Sequence, residues 1–138
     1  MKILVSACLL GTNCKYNGGN NLNQQVLTFL EGHQIIPICP ETLGGLPIPR
    51  PPAEIVNGIV INKEGKSVDI EFKKGAEKAL KKALEEKVDL AILKANSPSC
   101  GSNQIYDGSF SGKKIAGNGV FVKLLKENGI KVITEDEI

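Results

Sequence analysis

Four cysteines, Cys8, Cys14, Cys39 and Cys100, are the residues of this chain best suited to unusual chemistry. The first two lie in a glycine- and asparagine-rich stretch, SACLLGTNCKYNGG, from Ser6 to Gly19. Cys39 opens CPETLGG, and Cys100 closes NSPSC directly before Gly101. Thiolates are soft donors that select zinc, copper(I) or an iron–sulfur cluster. A structural zinc site normally uses close pairs such as CxxC, and the chain has none. His33, the one histidine, falls near the end of an expected helix and reads as a surface or helix-end residue. Three cysteines without a convincing fourth ligand suit a [4Fe-4S] cluster with one iron left open, a Lewis acid able to take a substrate atom without redox change. Cys14, in the same loop as Cys8, keeps a second arrangement open: a closed four-thiolate site, for electron transfer or for a metal. A free cysteine is also commonly just a small buried hydrophobe.

The elements that must position these thiols decide between the readings. Short aliphatic runs alternate with helical patterns. KILVSA, Lys2 to Ala7, is an expected strand, and Leu22, Val26, Phe29 and Leu30 recur at helical spacing up to Gly32. IIPIC, Ile35 to Cys39, is a second buried strand. From Pro40 to Pro52 come five of the seven prolines together with Gly44 and Gly45, which predicts a rigid irregular loop. EIVNGIVINKEGKSVDI reads as two short strands around a turn at Glu64 and Gly65. Phe72, Ala76, Ala79, Leu80, Ala83, Leu84 and Val88 mark one face of an amphipathic helix. DLAILKA, Asp89 to Ala95, is a continuous apolar strand of the kind a parallel sheet buries on both sides. A polar loop, NSPSCGSNQIYDGSFSGKK, leads to a last helix over about 119–128 and a final strand, IKVIT.

This order predicts an α/β, three-layer Rossmann-like fold with a mostly parallel sheet plus a small β-hairpin insertion, in one domain spanning residues 1–138. In such sheets ligands bind beyond the carboxyl ends of the strands. Cys8, Cys39 and Cys100 each lie at or just past such an end, so three sequence-distant thiols converge on one edge, which favours a shared site over three unrelated core residues.

Composition sets the outer limits. The chain has 138 residues, 41% hydrophobic and 23% charged, with a net charge of +2. A chain of this size buries roughly two-thirds of its unfolded surface and needs no disulfide staples. The near-neutral charge, with Lys alternating with Glu in FKKGAEKALKKALEEK, argues against a nucleic-acid footprint. No stretch resembles a secretory signal or a membrane span, so a cytoplasmic location is expected, where cysteines are more often ligands or catalytic groups than disulfides.

SACLLG, CKYNGG, CPETLGGLPIPRPPAEI, SPSCG and YDGSF resemble, in order and over nearly the whole chain, the signature segments of the 2-thiouracil desulfurase family, long catalogued as domain of unknown function 523. The resemblance implies an iron–sulfur enzyme with a Rossmann-like fold that removes sulfur from a thiolated pyrimidine to give uracil and hydrogen sulfide. It implies a [4Fe-4S] cluster held by Cys8, Cys39 and Cys100, with Cys14 not required. It points to Glu41 as general base and later acid, and to a serine of the SPSC motif, Ser97 first, as the proton-relaying hydroxyl.

The residues themselves suit those roles. Water attacking the carbon that bears sulfur must lose a proton, and Glu41 lies two residues from Cys39. Ser97 and Ser99 bracket Pro98 directly before Cys100, with Ser99 a candidate to hold substrate; backbone capping is their ordinary alternative. Arg50 is a candidate for substrate binding, or a structural partner of Glu54. Tyr16 and Tyr106 are candidate stacking residues. The segments YDG and GSFSGKK have the look of a closing loop. GKKIAGNG does not follow a strand as a phosphate-binding loop must.

Overall fold

A computed structural model describes residues 1–138. Its centre is a four-stranded, all-parallel sheet made of β1 (Lys2–Ser6), β2 (Gln34–Ile38), β5 (Leu90–Leu93) and β8 (Val132–Thr134), in the order β2-β1-β5-β8. Side chains alternate across a strand, and both faces here are apolar. Leu4 of β1 and Ala91 and Leu93 of β5 face one core, where α3 (Asp69–Glu86) and α4 (Val120–Glu127) cover them with Ala76, Ala79, Ala83, Phe121 and Leu125. Ile3, Val5, Leu90 and Ile92 face the other, closed by Val26 and Leu30 of α1 (Gln24–Leu30). These are the three layers the sequence predicts.

The alanines of α3 let that helix approach the sheet and its neighbours closely. At Gly75 the approach is closest: a Cβ built there would lie 1.9 Å from the carbonyl oxygen of Pro40. Pro40 begins a single-turn helix, α2 (Pro40–Leu43), inside the segment expected to be irregular. Proline is tolerated at a first helical position because its missing N–H has no intrahelical partner there.

Three other expectations need correction. The hairpin of β3 (Ala53–Val56) and β4 (Ile59–Asn62) turns at Asn57 and Gly58, not at Glu64 and Gly65. Asn57 and Gly58 have φ of 51° and 79°, the positive pair a two-residue hairpin turn requires and Asn-Gly supplies. Glu64 and Gly65 form a second tight turn, in which the Gly65 N–H donates to the Asn62 carbonyl at 2.9 Å and the Asn62 N–H to the Lys66 carbonyl at 2.8 Å. The loop after β5 contains a further hairpin, β6 (Gln104–Tyr106) and β7 (Lys114–Ala116), whose three-residue strands are too short to show a period. Leu22, Phe29 and Leu84, expected on buried helix faces, are exposed; α1 begins only at Gln24, capped by Asn23, which leaves Leu22 outside it.

Candidate active site

The chain passes from β1 to β2 on one side of the sheet and then to β5 on the other, so the loops after β1 and β5 part towards opposite layers and leave a crevice between them. The register pairs Ser6 with Ile38 and Val5 with Ile92, which brings the three strand ends level. Each end carries a cysteine. Cys8 sits in a 3-10 turn, Ala7–Leu10, that Gly11 ends in a left-handed conformation at φ 96°. Its carbonyl accepts the N–H groups of Gly11 and Asn21 and thereby folds the whole 11–21 loop back on itself. Cys39 precedes α2, and its carbonyl accepts the Thr42 hydroxyl at 3.0 Å. Cys100 follows a loop whose Pro98 and Ser99 carbonyls accept the first N–H groups of α4, so the end of that helix anchors it.

Cys8, Cys39 and Cys100, together with Cys14, line one cavity of about 490 Å³, within the range of about 300–1,000 Å³ usual for small-molecule sites. No three His, Cys, Asp or Glu side chains close on a single metal ion.

The thiols differ in proton affinity. Burial pushes Cys100 up to about 12, opposed by the Ser6 hydroxyl and by the nearness of Ser99. Burial also raises Cys8, partly offset by Asn21. Cys14, 5% exposed, is raised because it gives its proton to Cys39 and because it is buried. Cys39 is lowered by that same bond from Cys14 and, against its own burial, by the hydroxyl and N–H of Thr42. Metal binding needs thiolates, and only Cys39 is predisposed to be one.

Glu41, on α2, joins this wall to the SPSC loop. Its Oε2 accepts the Ser99 hydroxyl at 2.8 Å, and its Oε1 meets Arg50 Nε at 3.3 Å and Nη2 at 3.2 Å. Since the single Ser99 proton points to Glu41, Ser97 is the donor in the 2.9 Å contact between the two serine hydroxyls. Ser97 Oγ also accepts the N–H groups of Ser99 and Cys100, which shapes the loop. The result is a chain of hydroxyls from Ser97 through Ser99 to the carboxylate. Arg50 pairs with Glu41, not with Glu54, and its guanidinium further donates to the carbonyls of Cys14 and Pro47. Tyr16 and Tyr106 both line the cavity. His33 stacks on Phe29, outside it.

Sequence reading missed Lys94 and Glu135, and the part Glu54 plays. Lys94 lines the cavity and pairs at 2.8 Å with Glu135, whose other oxygen accepts the Ala95 N–H at 2.7 Å. Glu54 accepts the N–H groups of Gly108 and Phe110. Neither contact has a local sequence signal, because the partners are far apart in the chain.

The sequence profile of the 2-thiouracil desulfurase family matches residues 3–137. The chain belongs to the 2-thiouracil desulfurase family. The chain is similar to an uncharacterised protein of Bacillus subtilis, YbbK, with 42% identity over 146 residues, covering 99% of this chain and 97% of that one. A solved structure, that of the [4Fe-4S]-dependent thiouracil desulfidase TudS, superposes with a TM-score of 0.91 at 44% identity, covering 99% of this chain and 92% of the other. The fold described above is therefore the fold of this desulfurase family.

Proposed function

We propose that this protein desulfurates a thiolated pyrimidine, converting 2-thiouracil and water to uracil and hydrogen sulfide, with a [4Fe-4S] cluster held by Cys8, Cys39 and Cys100. The observation that carries the reading is that three strand-end thiols and a hydrogen-bonded carboxylate share one cavity. The likeness to a [4Fe-4S]-dependent desulfidase over nearly the full chain supports it. The donor set fits such a cluster: the candidate ligands are all soft thiols in one cavity, and the Ser6 hydroxyl lies beside Cys100 to hydrogen-bond its sulfur. When bound, the cluster supplies through its iron without a protein ligand a Lewis-acid seat for the sulfur of the substrate.

The chain's own residues do the proton work. Glu41 takes a proton from the water that adds to the carbon bearing sulfur, and gives it up as the carbon–sulfur bond breaks. Ser99 and Ser97 connect Glu41 with the cavity and carry a proton along their hydroxyls. Arg50, committed to Glu41 and two carbonyls, serves the substrate by fixing the orientation of the base rather than by gripping the ring. The reaction is a hydrolysis: oxygen replaces sulfur and no electrons are gained or lost. Cys14, which lines the same cavity, stands outside this ligand set.

Anaerobic cluster reconstitution with iron and sulfide quantitation, followed by a 2-thiouracil assay, tests this. The expected result is about four irons per chain in the wild type and in Cys14→Ala, with turnover in both, and loss of both in Cys100→Ala. A cluster that needs Cys14 and leaves thiouracil intact would overturn it in favour of a non-catalytic metal-binding or sulfur-carrier module.

A further inference from the structure

Hairpin β6–β7 lies outside the main sheet, and β7 is exposed along its whole length. A two-stranded hairpin alone is marginal in water, so its fastenings decide where its loop sits. One is Ile105, buried and bridged to Asn96. The other is Glu54 of β3. A single carboxylate oxygen, Oε1, accepts the backbone N–H of Gly108 at 2.9 Å and of Phe110 at 3.2 Å. The loop backbone rests directly on β3: a Cβ at Gly108, whose φ is 93°, would lie 2.8 Å from the carbonyl oxygen of Ile55. Across the loop, the N–H of Asp107 donates to the Lys113 carbonyl at 2.9 Å.

These contacts hold Phe110 in a left-handed conformation, φ 56°, that bulky side chains rarely adopt. Its half-buried ring lines the cavity that also holds the cysteines and Glu41. A strained backbone persists only where its surroundings over-determine it, and such residues gather at ligand clamps. The strain here serves to place a flat apolar face at the thiol-lined site.

We propose that Phe110 is the specificity residue that covers one face of a planar heterocycle in the cavity, and that Glu54 is the positioning residue that holds it there. The proposal rests on the desulfurase reading for the identity of the ring. An aromatic face against a flat ring adds to simple burial, and a ring bound equally in ground and transition states changes KM rather than kcat.

Phe110→Leu keeps apolar bulk and the same backbone demand but loses the π-face. It raises KM for 2-thiouracil about tenfold with kcat within about twofold of wild type, and Phe110→Tyr restores KM. Glu54→Ala gives the same rise, whereas Glu54→Gln, whose amide oxygen accepts the same two N–H groups, restores it. In the cluster-free protein, amide hydrogen exchange at Gly108 and Phe110 is slow in wild type and Glu54→Gln and fast in Glu54→Ala. An unchanged KM in Phe110→Leu overturns the role of Phe110, and unchanged exchange in Glu54→Ala overturns that of Glu54. If the wild type, loaded with cluster, turns over no thiolated pyrimidine, the desulfurase reading fails. Phe110 is then decided by uracil alone: a shift of the Phe110 amide resonance on titration supports the ring contact, and no shift refutes it.

Discussion

Gly75→Ala sets two opposed effects against each other. In the interior of an exposed helix, replacing glycine by alanine stabilises by about 1 kcal/mol through helix propensity. Gly75 is buried in α3 under α2, however, and the new Cβ would stand 1.9 Å from the Pro40 carbonyl oxygen and 2.9 Å from the Gly44 nitrogen. Both neighbours are backbone, so no rotamer change relieves the contact. Reaching the 3.4 Å of ordinary contact requires α2 to withdraw from α3 by about 1.5 Å. Overpacking costs about 1–3 kcal/mol, and a backbone clash this close that no rotamer relieves falls at about 2–3, so against the propensity gain the net loss is about 1–2 kcal/mol. For a chain of this length that corresponds to a fall in Tm of about 4–8 °C.

The functional cost is larger than the stability cost. Cys39 and Glu41 flank Pro40 and move with it, and a misplacement of about 1 Å at a reacting centre can cost about 100-fold in rate. Differential scanning calorimetry and 2-thiouracil turnover on the reconstituted protein measure the two effects. A Gly75→Ala protein with unchanged or raised Tm and unchanged turnover would refute the argument that backbone contact between α2 and α3 sets the position of Glu41.

Three further outcomes are expected. Glu41→Gln and Ser99→Ala each retain the iron content of wild type but lose about 100-fold to 10,000-fold in turnover, measured as sulfide release. In the cluster-free protein Cys39 is alkylated by iodoacetamide before the other three thiols near neutral pH, because its lowered pKa makes it a thiolate at a pH below that of an ordinary cysteine. Cys14→Ala removes the first cause of that lowering and shifts the alkylation profile of Cys39, followed by peptide mass spectrometry, to higher pH. Glu135→Ala leaves the Lys94 ammonium without its carboxylate and the Ala95 N–H without its acceptor. Breaking a fully buried pair costs about 3–5 kcal/mol; with the Lys94 side chain 30% exposed to water, the expected loss is about 2 kcal/mol, read from urea denaturation.

Much of the architecture was legible in the chain because its signals are local. Short aliphatic runs such as ILV and LAIL, alternating with longer helical patterns, read as strands buried on both faces, and the Phe72, Ala76, Ala79, Ala83 spacing presents one helical face to a core. Alternation of the two dictates a parallel sheet, and the strand-end rule then brings Cys8, Cys39 and Cys100 to one edge before any coordinate is known. The Asn57-Gly58 turn was equally local, and Asn-Gly is the stronger turn signal of the two in that segment.

What the tertiary structure alone decided are contacts between residues that no periodicity relates. Ser99 reaches Glu41 across 58 positions, Arg50 turns to Glu41 instead of to Glu54, four residues away, and Cys14 comes to line the same cavity as Cys39. Ser97 and Ser99 are equivalent in sequence, and only the fold distinguishes the one that touches the carboxylate from the one that shapes the loop. Hairpin β6–β7 escaped notice because strands of three residues carry almost no pattern; they form through pairing with each other and fastening to β3. Local sequence determines which way a side chain faces within its own element, whereas hydrogen bonds between elements depend on loop paths and packing distances that exist only once the sheet and its helices have closed.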